Sequence, residues 1–96
     1  MKNEKTQQRI QDALQFGWEP SKVTEHELYE FCDWKSPDRK KSASFGAKLD
    51  GTFRFVRFDR TKEPPSVSIQ DFPDEAYSVA LLHLKLAELK KFVEEP

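Results

Sequence analysis

Ninety-six residues make one ordinary domain, which buries roughly 60–65% of the surface its unfolded chain exposes and has no room for a second core. Apolar residues are 36% and charged residues 34% of the chain, but eight Phe, two Trp and two Tyr are too many for a disordered tail. A net charge of −1 argues against a basic protein that coats nucleic acid, the single Cys32 excludes an internal disulfide, and Cys32, His26 and His83 are too few for a structural zinc site, so no cofactor is expected.

No apolar run approaches the roughly 18 residues of a membrane span, so no membrane contact is expected and a cytoplasmic location is the default. The charge is unevenly spread. Residues 1–38 hold five Lys/Arg against eight Asp/Glu, residues 39–62 eight against two, and residues 63–96 three against seven, so the middle quarter carries +6. Such a run is either a solvated face or a patch that meets phosphate or carboxylate.

In chain order, Asn3 to Gln15 reads as a helix with Asn3 as N-cap, Ile10, Ala13 and Leu14 on one side, and Gly17 at its stop. Its apolar stripe is thin, so an N-terminal helix within residues 3–16 is expected to dock loosely. Trp18, Glu19 and Pro20 interrupt it. Thr24 and Glu27 then form a capping box and Val23 and Leu28 a hydrophobic staple, predicting a second helix from Glu25 to about Asp33 with Leu28, Phe31 and Cys32 inward. Trp18 and Trp34 flank that helix, as pins to the core or as interface anchors.

Ser36-Pro37-Asp38 is a turn leading into Arg39-Lys40-Lys41. Ala43–Leu49 and Thr52–Asp59 flank Asp50-Gly51, the signal for a two-residue type I′ hairpin. That turn pairs Ala47 with Arg54, Phe45 with Val56 and Ala43 with Phe58 on a core face. It leaves Lys48, Phe53, Phe55 and Arg57 on the other, where the two Phe either form an open face or are covered by helix one or helix two. If they are covered, the basic loop with Arg60 and Lys62 remains as a charged rim that favours an acidic protein. Arg60–Pro65 reads as a loop and Ser66–Gln70 as a third strand with Val67 and Ile69 on one side. Asp71 is expected to cap a final helix to about Val93, with Val79, Leu82, Leu86, Leu89 and Val93 on one apolar stripe and Ala76, Tyr77, Ala80, Leu81, Leu84 and Ala87 on a second. The predicted fold is a single α+β domain over residues 1–96, two-layered, in the order α-α-β-β-β-α, with a three-stranded antiparallel meander on the long C-terminal helix.

Phe53-Arg54-Phe55-Val56-Arg57-Phe58 resembles the aromatic strand of RNA-recognition motifs, whose alternating aromatics stack bases. The resemblance spans six residues. Gly51 and Thr52 stand where that pattern has a basic residue and Gly, and Arg54 stands where it has Gly or Ala, so it assigns no family.

Catalytic patterns are weak. His26 lies between Glu25 and Glu27, His83 lies between the stripes of the last helix, Cys32 is wrongly spaced from His26 for a dyad, and three Gly make no phosphate loop. The expected function is a small non-enzymatic protein that regulates or inhibits an acidic protein partner through Arg39, Lys40, Lys41, Lys48, Phe53, Phe55, Arg57 and Trp34. A nucleic-acid module using Lys48, Phe53, Phe55 and Arg57 is the main alternative. A homodimer joined through the two-sided C-terminal helix is the second.

Overall fold

The computed structural model of the protein describes residues 4–20 and 29–95. Their elements are α1 (Glu4–Gln15), β1 (Glu19–Pro20), β2 (Tyr29–Lys35), β3 (Lys41–Lys48), β4 (Phe53–Asp59), β5 (Ser66–Phe72), a 3-10 turn (Asp74–Ala76) and α2 (Val79–Glu94). The five strands form one antiparallel sheet in the order β1-β2-β3-β4-β5. The α+β class and the meander stand as expected, but the sheet has five strands rather than three.

The largest correction concerns the second helix. Residues 29–33, expected to be helical, lie in β2, which pairs with β3 from Tyr29↔Lys48 to Lys35↔Ser42. Leu28, Phe31 and Cys32 fit a helical period, but Cys32 and Trp34 also fit a period of two, and Tyr, Phe and Trp favour strands. Pairing with β3 decides between the two periods, and it places Cys32 fully inside. Thr24, Glu27, Val23, Leu28 and His26 lie outside the described residues.

The β3–β4 hairpin falls where Asp50-Gly51 predicts it, with a different closure. Gly51 N–H donates to Lys48 O at 3.0 Å, Lys48 N–H donates to Thr52 O at 2.9 Å, and Gly51 stands at φ 98. These bonds define a three-residue loop in which glycine takes the left-handed position, rather than a two-residue type I′ turn. Asp50 Oδ1 accepts from both the N–H and the hydroxyl of Thr52 and fixes the loop. Ala47 therefore pairs with Phe53, Phe45 with Phe55 and Ala43 with Arg57, one residue away from the expected pairing. A one-residue slip exchanges the faces of β4. Phe53 and Phe55 consequently turn inward, and Arg54, Val56 and Phe58 turn outward.

Both helices pack on the inner face of the sheet. Ile10, Ala13, Trp18, Cys32, Ala43, Phe45, Phe53, Phe55, Leu82, Leu86 and Val93 form the core. Phe72 extends it by stacking on Phe53 at 5.2 Å between centroids. This contact carries β5 through Asp71 to Phe72, so Asp71 is a strand residue rather than a helix cap. Ser78 caps α2 instead, its hydroxyl accepting from Leu81 N–H at 3.0 Å. The first stripe of α2 is buried from Leu82 to Val93, while Val79, Ala80, Leu84 and Ala87 face outward.

Helix α1 packs through more than its apolar stripe. Its inward face, Thr6, Arg9, Ile10 and Ala13, is half polar, and hydrogen bonds supply what the thin apolar stripe lacks. Thr6 Oγ1 donates to Lys48 O, and the Arg9 guanidinium donates to Gly51 O and to Asp74 Oδ1 while lying 4.1 Å from the Tyr77 ring centroid. The Tyr77 hydroxyl donates to Asp12 Oδ2 at 2.7 Å. Arg9 thus ties the helix to the hairpin loop and to the 3-10 turn.

Two outcomes test this frame. A Cβ on Gly51 would stand 2.6 Å from the Asp74 carboxyl carbon at a φ that other residues rarely adopt. Gly51→Ala is expected to cost about 1–3 kcal/mol in chemical denaturation, and an unchanged midpoint would contradict the loop geometry. Lys5 and then Arg9 hold the Asp74 carboxyl below the usual carboxylate range, and loop hydrogen bonds do the same for Asp38, Asp50 and Asp59. A depressed folded pKa contributes stability above the unfolded value of about 4 and loses it as pH falls through the folded value. The thermal midpoint is therefore expected to drop as pH falls below about 4, and less steeply in Asp74→Asn. An identical acid slope in that variant would remove Asp74 from the account.

Candidate functional site

In an antiparallel meander, the β2–β3 and β4–β5 loops share one end of the sheet. Arg60 N–H donates to Lys40 O at 2.7 Å and joins them directly. Arg39 and Lys40 come from the first loop, Arg60 and Lys62 from the second, and Arg57 from the adjoining end of β4. All five side chains are exposed, and none is ion-paired to another described residue. Asp38 and Asp59 lie at the same end, but their carboxylates are engaged locally, by Ser36 and the Lys40 N–H and by Thr61 respectively. The net field of this end is basic.

The first loop holds Arg39 in a strained backbone conformation. Ser36 N–H donates to Lys41 O, Arg39 N–H donates to Ser36 O, and the Ser36 hydroxyl donates to Asp38. These bonds set Arg39 at φ 60, the left-handed region, which costs a non-glycine residue about 1–2 kcal/mol. Glycine would relieve the strain and remove the charge. Arg39 and Trp34 line a shallow cavity of about 270 Å³ with Glu19, Pro20, Asp33 and Lys35.

The expected site residues separate into three groups. Arg39, Lys40 and Arg57 belong to the basic end, and Trp34 lies beside it, half-buried, with Lys90 Nζ 4.5 Å from its ring centroid. Lys41 reaches the end of α2, its Nζ donating to Glu95 O at 3.0 Å and to Phe92 O at 3.4 Å, so its charge offsets the negative pole of that helix. Lys48 lies at the opposite end of β3 and pairs with Asp50 at 3.5 Å. Phe53 and Phe55 are only 1% and 3% exposed, which decides for the covered alternative and corrects the open sheet face that a base-stacking site needs. The hairpin register is the reason, and it leaves neither ring free to stack a base.

Sequence reading counted Arg60 and Lys62 only as a charged rim should Phe53 and Phe55 be covered, and it missed that two loops gather them with Arg39 and Lys40. It also missed a groove between α2 and the inner face of β5. Two adjoining cavities, of about 410 and 230 Å³, share Arg57 and Ser68. Lys85 and Leu89 line the larger, Lys62, Ser66 and Phe92 the smaller. The groove exists because α2 packs over β2 and β3 and leaves Ser66, Ser68 and Gln70 uncovered.

No His, Cys, Asp and Glu cluster among the described residues could hold a metal ion, and no described helix is long and apolar enough to cross a membrane. His83 is exposed on α2 with its ring 5.1 Å from that of Phe16. Comparisons of the chain with protein-family models, curated proteins and solved structures give no match.

Cys32 is fully buried. Burial, with Asp33 and Glu30 nearby, pushes its thiol up to about 12. The thiolate is the reactive form, so alkylation of the native protein at pH 8 is expected to be slower than that of the unfolded chain by roughly a hundredfold or more. Comparable rates would make Cys32 a candidate nucleophile.

Proposed function

We propose that this chain is a non-enzymatic binding protein that regulates or inhibits a protein partner by occupying an acidic surface on it. One observation carries the reading, the convergence of two loops and a strand end on five exposed cations, none of them ion-paired to another described residue. Strained Arg39 supports it further, since a left-handed arginine costs stability that a glycine would save. Exposed charges of one sign speed encounter with a partner of the opposite sign and reject like-charged ones, and this suits a docking surface more than a catalytic cleft. Loss of the aromatic stacking face weakens the nucleic-acid alternative, which would then rest on phosphate contacts alone.

The test begins with affinity capture and identification of the partner, followed by calorimetry of the purified pair across a salt series. Reversing Arg39, Lys40, Arg60 and Lys62 to Glu is expected to weaken binding by roughly tenfold or more, mainly through slower association. The thermal midpoint should hardly move, because exposed substitutions change stability by about 0.5 kcal/mol or less. Lys41→Glu should behave in the opposite way and lower stability, since it places a negative charge against the C-terminus of α2. Full binding by the quadruple variant would refute the surface. Salt-steep binding to random oligonucleotides tighter than to any protein would favour the nucleic-acid reading.

A further inference from the structure

The two edges of the sheet are finished differently. β1 is two residues long and contains Pro20, so that edge is short and lacks a donor. β5 runs seven residues in unbroken register against β4 and contains no proline, lysine or bulge. Its one charge, Asp71, is held by Arg54 through two hydrogen bonds at 2.7 and 3.2 Å. Among the described residues the outer edge of β5 pairs with no strand. A regular edge of that length presents main-chain donors and acceptors to an incoming strand.

The faces of that edge differ in chemistry. On the helix-free face, Val67 and Ile69 are 52% and 56% exposed and lie beside their partners Phe58 and Val56. On the helix side, Ser66, Ser68 and Gln70 form the floor of the groove, and Arg57 and Lys62 rise from it without an ion-pair partner among the described residues. Lys85 pairs with Glu88 at 3.8 Å, and Asp59 accepts from Thr61 while interacting more weakly with Lys62.

We propose that β5 receives an extended segment of a partner protein, as a sixth strand, in which acidic and apolar residues alternate. The inference rests on the reading of an acidic partner and names how one part of it binds. Alternate side chains of an added strand point to opposite faces. Its carboxylates face Arg57 and Lys62 across the small serines, two strand spacings or about 10 Å from the β4 backbone. Its apolar residues extend the patch of Val67 and Ile69. A second copy of the chain fits less well, because its own β5 offers Ser66, Ser68, Gln70 and Phe72 to the helix side and no carboxylate to Arg57 or Lys62.

The test uses the full chain, labelled for amide NMR, and a synthetic peptide of four Glu-Val repeats with blocked ends. Shifts concentrated in residues 66–72, with affinity lowered at least tenfold by combined Arg57→Glu and Lys62→Glu, would support the proposal. Loss of binding when every peptide nitrogen is methylated would support strand addition in particular. No response in residues 66–72 at millimolar peptide would overturn it. Equal binding by the methylated peptide would also overturn it, while leaving the basic-end reading intact. A free chain that sizes as a dimer and becomes monomeric in Ile69→Asp would assign the edge to a second copy and overturn it as well. Peptide binding at β5, combined with undiminished partner capture by a reversal of Arg39, Lys40 and Arg60 alone, would instead sink the basic-end reading and spare this one.

Discussion

The turn at Gly51 fixes which side of β4 faces the helices, and the other surfaces of the molecule follow from that choice. Its φ of 98 closes a loop of three residues rather than two, and its carbonyl accepts from the buried guanidinium of Arg9. Arg9 also binds Asp74, so one side chain ties α1, the hairpin loop and the segment entering α2 together. With the loop held there, Phe53 and Phe55 enter the core against Phe45 and Phe72. Arg57 shares their face of the strand, but it lies beyond the aromatic cluster at the groove mouth, its guanidinium 5.4 Å from the Phe92 ring centroid.

The basic residues of the middle segment therefore divide by job. Lys41, Lys48 and Arg54 are spent inside the molecule, on the end of α2, on Asp50 and on Asp71. Arg39, Lys40, Arg57, Arg60 and Lys62 remain, gathered by loops that the antiparallel meander brings to one end. A charge tally over residues 39–62 cannot make that division. The folded structure does, because ion pairing and helix-end contacts are matters of distance. The same meander leaves β5 at an edge with unlike faces, so the cationic end and the open edge adjoin each other.

Much of the architecture was legible in the sequence. Glycine at position 17, the alternation in β3 and β4, the Asp50-Gly51 pair and the apolar period of α2 each marked their element. What escaped had physical reasons. The dipeptide Asp-Gly serves two loop lengths that differ by one residue in register, and only the tertiary hold of Arg9 and Asp74 on Gly51 distinguishes them. Tyr29–Lys35 is short enough to satisfy both a helical and a strand period until β3 is placed beside it. Apolar counting undervalued α1 because Thr6, Arg9 and Asp12 are buried yet hydrogen-bond to the hairpin, Asp74 and Tyr77. Asp71 offered a helix cap as good as Ser78 by local chemistry, and the stacking of Phe72 on Phe53 decided for the strand.

The pairing of β3 with β4 is the claim on which core, cationic end and groove all depend, and cross-strand nuclear Overhauser effects measure it directly. The account predicts main-chain contacts joining Ala47 to Phe53, Phe45 to Phe55 and Ala43 to Arg57. Contacts joining Ala47 to Arg54 and Phe45 to Val56 would contradict it, turning both phenylalanines outward and dissolving the proposed surface.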